Sequence, residues 1–286
     1  LAFFNPKFGL YHDLNQMQSV YVSFAVANKE PNRNDYIEST PNSRPKHETL
    51  YDTEIGYKKK GKKLNFGVNI YHMNYSNQLV LTGQINDVGA YTRTNIDQSY
   101  RKGIEMEADI KLTNNITLSG NITLSENKIV SHTAYVDNWD NWSQESIDYE
   151  NTDLAFSPNI IWSSILKYDL TENTSIDLIS KYIGEQFIDN TSSQDRMLND
   201  YLVNHLLLCY NWNNKIFKTS KLTLQINNLL NNKYVSNAWV YRFISDSWDP
   251  RESDPYINSD SERGYNMAGY FPQATRNYLL GITLGL

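Results

Sequence analysis

Apolar and polar residues alternate along most of this chain, and no long window repeats at a helical period. In one segment Ile104, Met106, Ala108, Ile110 and Leu112 interleave with Gly103, Glu105, Glu107, Asp109 and Lys111. The next segment sets Ile116, Leu118, Ile122 and Leu124 against Thr117, Ser119, Asn121, Thr123 and Ser125. The same rhythm runs through Val20–Val26, Leu64–Ile70, Leu222–Ile226 and Tyr278–Leu286. Successive side chains of a strand point to opposite faces, so each segment predicts a strand with one apolar and one polar or small face. Eleven strands are expected, near 3–12, 18–27, 48–58, 64–76, 100–112, 116–127, 158–170, 174–184, 200–211, 221–229 and 271–286. The pattern is least regular around 50–58, 159–170 and 201–211. Many of these segments exceed the roughly 5–6 residues usual in soluble sheets. They match the roughly 9–11 residues that a tilted strand needs to cross a bilayer.

The connections alternate in length. Short turns are expected at 13–17, 59–63, 113–115, 171–173 and 213–220, and long loops at 28–47, 77–99, 128–157, 185–199 and 230–270. A compact soluble meander has no reason to make every second loop long. An outer-membrane barrel does, with tight periplasmic turns and long extracellular loops. The expected fold class is therefore all-β: an antiparallel transmembrane β-barrel segment of about eleven long strands. Residue 1 would enter from the outside and residue 286 end on the periplasmic side.

Composition fits that reading. Among 286 residues 21 are Tyr and 6 Trp, and the apolar runs reach only about five residues, as in 206–210. A membrane-spanning helix needs roughly 20, whereas a barrel strand is only half apolar. The net charge of −6 argues against a nucleic-acid partner. The single cysteine, Cys209, rules out an intramolecular disulfide framework and a Cys-based zinc site. The long loops hold eleven Lys/Arg against twenty Asp/Glu, while the turn Lys58-Lys59-Lys60-Gly61-Lys62-Lys63 carries five positive charges. Taken one run at a time, such charges are usually a solvated face. The first residues, Leu1-Ala2-Phe3-Phe4-Asn5-Pro6, offer no targeting signal, and the chain begins inside the strand pattern, as expected of a processed protein or a fragment.

Candidate chemistry is sparse. Glu105 and Glu107 lie two apart on one strand face, roughly 6.5–7 Å between Cα atoms. That separation suits an inverting glycosidase, but the continuation to Asp109 and Lys111 reads better as a polar barrel lumen. The five histidines, His12, His47, His72, His132 and His205, have no partners at metal-ligand spacing, and His132 is the best placed for capture of a haem by a loop. No nucleophile elbow and no phosphate-binding glycine loop occurs. No enzyme activity, metal or cofactor is expected. The loops are richer. Loop 128–157 carries Tyr135, Trp139, Trp142 and Tyr149 among six acids, and loop 230–270 carries Trp239, Tyr241, Phe243, Trp248 and Tyr256 among six more. Aromatic faces and carboxylates together suit a sugar, a catecholate or a cationic ligand. The binding candidates are Trp139, Trp142, Tyr149, Trp239, Tyr241 and Trp248. The competing view of each is a membrane-interface girdle or loop self-packing.

Four stretches carry a family resemblance. Asn5-Pro6-Lys7-Phe8-Gly9-Leu10 followed by Val20–Arg33 resembles a mid-barrel hairpin of TonB-dependent outer-membrane receptors. Glu48-Thr49-Leu50-Tyr51-Asp52-Thr53-Glu54-Ile55-Gly56-Tyr57 is similar to that family's E-x5-E-x-G-Y strand. Asn228-Leu229-Leu230-Asn231-Asn232-Lys233-Tyr234 resembles its N-L-F-N-x-x-Y element, and Pro272-Gln273-Ala274-Thr275-Arg276-Asn277-Tyr278 its entry to the final strand. In character the chain is most similar to iron-complex receptors of Bacteroidetes-type bacteria.

The resemblance implies a 22-stranded barrel plugged by an N-terminal globular domain, of which residues 1–286 are the C-terminal part. The plug, the TonB-contacting segment and the first half of the barrel would lie outside this chain, and Leu286 stands where the family ends in an aromatic residue. The implied partners are outer-membrane lipid, the plug and N-terminal barrel half of the same receptor, TonB indirectly, and an iron complex. The implied function is uptake of a scarce nutrient such as a ferric siderophore, with haem, cobalamin and oligosaccharide as other ligands that such loops select. The competing readings are a soluble β-sheet module that binds carbohydrate through aromatic loops, a passive pore, and an outer-membrane hydrolase, for which no catalytic set is found. Unpaired edge groups cost several kcal/mol each in hydrocarbon, so an open sheet in lipid is expected to close with a missing half.

Overall fold

The computed structural model of the protein describes residues 2–37, 44–85, 91–213 and 216–285. In chain order its strands are β1 (Lys7–Asn15), β2 (Gln18–Lys29), β3 (Glu48–Lys59), β4 (Leu64–Ile85), β5 (Tyr91–Lys111), β6 (Ile116–Asn138), β7 (Ser143–Asp153), β8 (Ile160–Thr171), β9 (Thr174–Ile183), β10 (Gln186–Phe187), β11 (Met197–Leu198), β12 (Tyr201–Asn211), β13 (Thr219–Asn227), β14 (Val235–Ile244), β15 (Ile257–Ser259), β16 (Tyr265–Pro272) and β17 (Asn277–Gly285). A five-residue helix, α1 (Arg33–Ile37), follows β2. Eleven of the strands form one continuous antiparallel wall in the order β1-β2-β3-β4-β5-β6-β8-β9-β12-β13-β17. These are the eleven segments that alternation predicts. The first begins later than expected, at Lys7, and the last at Asn277.

The register sorts the two faces. Leu10 lies opposite Val22, Val22 opposite Ile55, Ile55 opposite Ile70, Ile70 opposite Ile104, Ile104 opposite Leu124, and Leu124 opposite Ile160. Every member of this apolar row is exposed, from 37% at Val22 to 60% at Leu10. On β17, Leu280 and Ile282 stand 71% and 65% open. A two-layer soluble sandwich would cover such a face with a second sheet; here it is bare over seven strands in succession, as the hydrocarbon of a bilayer requires. The other face runs Tyr21, Gly56, Asn69, Glu105 and Thr123 in the same register. It is the polar, lumenal face, and it contains Glu105. A side chain at Gly56 would place its Cβ 2.0 Å from the Tyr21 ring, so the missing Cβ is what lets the tyrosine lie flat across the wall.

The long loops are not structureless. β4, β5 and β6 run for 22, 21 and 23 residues. At about 3.3 Å per residue such strands pass well beyond a hydrocarbon core about 30 Å thick. The expected loops 77–99 and 128–157 are therefore largely paired: β4 continues against β5 as far as Ile85, and β6 turns back on itself as the β6–β7 hairpin. Outside the bilayer, paired strands need no apolar face, so alternation fades while the backbone still finds its partners in the ladder. Expected loop 230–270 likewise contains β14, β15 and β16. The two small apolar cores sit at this end. Val80, Ile96, Ile129 and Leu154 form one; Ile188, Leu198, Ala238 and Val240 form the other.

Candidate functional site

At the long-loop end, three excursions fold onto one another: the β6–β7 hairpin, residues 185–199, and the β14–β16 region. β14 pairs in parallel with the upper end of β6, Phe243 against Asp137 and Ile244 against Asn138. Alternation along β14 then divides its residues. Ala238 and Val240 enter the second core, Arg242 faces a cluster of buried charges, and Tyr241 and Phe243 face an aromatic stack.

The aromatic stack gathers three of the six candidates. The Trp139 ring lies 3.9 Å from that of Phe243, with 14° between their planes, and 6.2 Å from that of Trp248. Trp139 Nε1 donates to Tyr241 Oη at 3.1 Å, and that hydroxyl donates to Asp137 Oδ2 at 2.7 Å. Burial and the Asp137 carboxylate push the Tyr241 hydroxyl up to about 12. Asp140 fastens the neighbouring loop: it accepts from the backbone N–H of Asp246 at 2.7 Å and from the N–H and hydroxyl of Ser247. Trp248 remains 50% exposed, so one face of the stack is open.

The other candidates lie elsewhere. Tyr149 stacks on His132 at 5.4 Å and joins the charge cluster: its hydroxyl donates to Glu262 Oε2 at 2.5 Å and accepts from Arg242 Nη1 at 2.9 Å. Burial, then the bond to Glu262, push it up to about 12. Trp239 lies across Gly269 on β16, where a Cβ would come within 2.2 Å of its Nε1. Trp142 stands alone at the tip of the β6–β7 hairpin, 89% exposed, with a left-handed φ of 57°. Such a backbone is unfavourable for a bulky residue.

The charge cluster was not foreseen from the sequence. Arg196 is fully buried and ion-paired with Asp189 at 2.8 Å and Asp260 at 2.5 Å; its Nη2 also donates to Thr191 Oγ1 at 2.6 Å. Asp260 is shared with Arg242 Nε at 2.9 Å, and Arg242 Nη2 reaches Glu262 at 2.8 Å. The chain Asp189–Arg196–Asp260–Arg242–Glu262–Tyr149 thus crosses all three excursions. His132, against Tyr149, is held below the usual imidazole range by burial, which the charge of Asp189 opposes. Farther out, Arg263 bridges Glu145 and Asp246 at 3.0 and 2.5 Å. Among the described residues no group of three or more His, Cys, Asp or Glu is arranged to hold a metal ion.

The comparisons agree with this architecture. The family model described as TonB dependent receptor-like, beta-barrel, matches residues 2–229. The chain belongs to that family, and with it to the outer membrane. No curated protein matches it. Among solved structures, it is similar to the ferric-catecholate import receptor Fiu of Escherichia coli K12 in its closed form (TM-score 0.62, 19% identity, 96% of this chain and 34% of that one). It is also similar to the siderophore receptor PiuA of Acinetobacter baumannii (TM-score 0.67, 17% identity, 96% and 35%). The copper transporter OprC gives a TM-score of 0.64 at 14% identity, over 96% of this chain and 39% of that one. At these identities the likeness is one of fold, and the chain spans about a third of the length of these structures.

Proposed function

We propose that residues 1–286 form the C-terminal part of the barrel of an outer-membrane receptor, which takes up a ferric siderophore or a related iron complex with energy delivered by TonB through a plug domain. The observation that carries this reading is the packed layer at the long-loop end. It sets aromatic faces and carboxylates over a wall whose inner face is polar. A ligand would meet the open Trp248 face and the free Trp142 ring first, while Trp139, Tyr149, Trp239 and Tyr241 hold that surface in shape. Fiu, PiuA and the ferric yersiniabactin uptake receptor FyuA of Yersinia pestis (TM-score 0.61, 13% identity, 96% of this chain and 36% of that one) supply the ligand class by likeness. Among the described residues β1 and β17 each pair on one edge only, and every residue of β1 is exposed. The unpaired N–H and C=O groups of such edges are too costly to leave in lipid. They would close against strands outside this chain.

The test uses the full-length receptor in its native membrane. Growth on a panel of ferric siderophores as sole iron source should be lost on deletion and depend on TonB. Purified receptor should run as a heat-shifted band on SDS gels and show ligand-dependent quenching of tryptophan fluorescence. Unchanged growth on every iron complex, with no quenching, would remove iron from the reading.

A further inference from the structure

The β3–β4 turn gathers more positive charge than any other part of the chain, and the packed layer at the opposite end has no use for it. Lys58, Lys59, Lys60, Lys62 and Lys63 surround Gly61. Two backbone bonds fix this turn to its neighbours: Lys60 N–H donates to Met17 O at 2.7 Å, and Lys111 N–H donates to Lys63 O at 2.9 Å. Lys58 and Lys111 lie on the polar, lumenal face, in the rows of Gly56 and of Glu105 and Asp109, which leaves Lys59 and the turn lysines Lys60, Lys62 and Lys63. None of these six lysines forms an ion pair with a described residue. Glu107 and Asp109, on the lumenal face, line a cavity together with Lys58, Lys59 and Lys60.

Its position relative to lipid follows from the register. Tyr51, Ile55 and Tyr57 share the apolar face of β3, and Lys59 is the next residue on that face, opposite Phe66 of β4. Lys59 thus marks where the hydrocarbon-facing row ends. A lysine there lays its methylenes along the apolar surface and turns its ammonium outward, to headgroup level. Leu14 near the end of β1 and Met17 in the turn that follows are 51% and 56% exposed, as residues at an acyl boundary are. Unpaired ammonium groups at headgroup depth attract anionic lipid by about 1 kcal/mol each, roughly fivefold in affinity.

We propose that Lys59 and the turn lysines Lys60, Lys62 and Lys63 form a docking site for the phosphate headgroups of anionic phospholipids in the periplasmic leaflet. It rests on the membrane orientation adopted above, with short turns toward the periplasm. Charge complementarity selects the lipid class: a zwitterionic headgroup brings its own ammonium and gains little from the cluster.

The test takes the full-length receptor, delipidated in detergent, and titrates phosphatidylglycerol, phosphatidylethanolamine and free glycerol phosphate, counting bound molecules by native mass spectrometry. Phosphatidylglycerol should bind and be displaced by salt, with the other two at least tenfold weaker. Joint replacement of Lys59, Lys60, Lys62 and Lys63 by Gln should weaken phosphatidylglycerol at least about 25-fold, since two of the four contacts at about fivefold each already give that, while replacement by Arg should preserve it. Equal binding of the two phospholipids, or retention of phosphatidylglycerol by the Gln variant, overturns the proposal. So does loss, in that variant, of a periplasmic protein cross-link with lipid binding unchanged, which would make the partner an acidic protein. The heat-shifted band of both variants reports the barrel separately, so failure of the lipid site and failure of the receptor reading are distinguishable.

Discussion

Arg196 is the residue whose loss should do most damage to the extracellular layer. It is fully buried, and it binds Asp189, Asp260 and Thr191. Among the described residues Arg196 is the only guanidinium within 4.0 Å of Asp189, which is buried, so Arg196→Ala leaves that carboxylate with the N–H and hydroxyl of Thr191 as its described donors. Asp260 keeps Arg242, so one of its two arginine partners survives. Breaking a buried pair costs about 3–5 kcal/mol. The retained partner of Asp260 puts the cost near the lower end, about 3 kcal/mol. That energy resides in the loop layer, because the wall ladder β1 to β17 does not pass through Arg196. The expected outcome is local opening. Hydrogen exchange at Ile188, Leu198 and Val240 should speed up by at least about 100-fold, since about 1.4 kcal/mol is a factor of ten. The heat-shifted band should not move. The assay is exchange mass spectrometry on the full-length receptor, wild type against Arg196→Ala and Arg196→Met. Met restores volume but not charge, so both variants should open. Exchange within threefold of wild type in both would refute the claim that the ion chain holds the layer together.

Four further outcomes follow from the same geometry. Because burial holds the His132 pKa below its unfolded value, protonation favours the opened loops. The packing around Tyr149 should be intact above about pH 6.5 and weaken as pH falls through the lower folded pKa, and exchange at Tyr149 in a His132→Phe variant should lose that dependence. Trp142→Gly should leave the fold intact and relieve strain of about 1 kcal/mol, read as a small rise in hairpin protection, and it should reduce quenching by the iron complex. Trp139→Ala removes the centre of the stack and should cost about 3 kcal/mol of local stability, read as faster exchange at Phe243 and Trp248. Ile104→Arg, on the lipid row, should cost about 2–4 kcal/mol and lower barrel yield, whereas Glu105→Arg, one residue along on the polar face, should assemble normally.

What the sequence made legible, and what it hid, follows from where each residue meets its solvent. The eleven wall strands were visible because lipid and lumen impose opposite demands on successive residues, as from Ile104 to Lys111. The same rule fails above the bilayer, where both faces meet water or other loops. The stretch Ser131-His132-Thr133-Ala134-Tyr135 has no clear period, although it pairs with Ser146–Glu150 for its whole length. Asn228 was legible as part of a motif, and its reason is local. Its φ is left-handed at 49°, and its amide donates to the carbonyls of Asn232 and Ala274. The candidate site was legible only as composition. That Trp139 would meet Tyr241, 102 residues away, depends on the parallel contact between β14 and β6, which no local signal announces. Arg196 and Arg242 looked like ordinary loop cations among twenty acids. Their burial follows from enclosure by three excursions at once, each of which supplies a carboxylate or hydroxyl that the others lack. A loop layer built this way is specified by complementarity between distant segments. The barrel beneath it is specified residue by residue, and so the two should fail separately when perturbed.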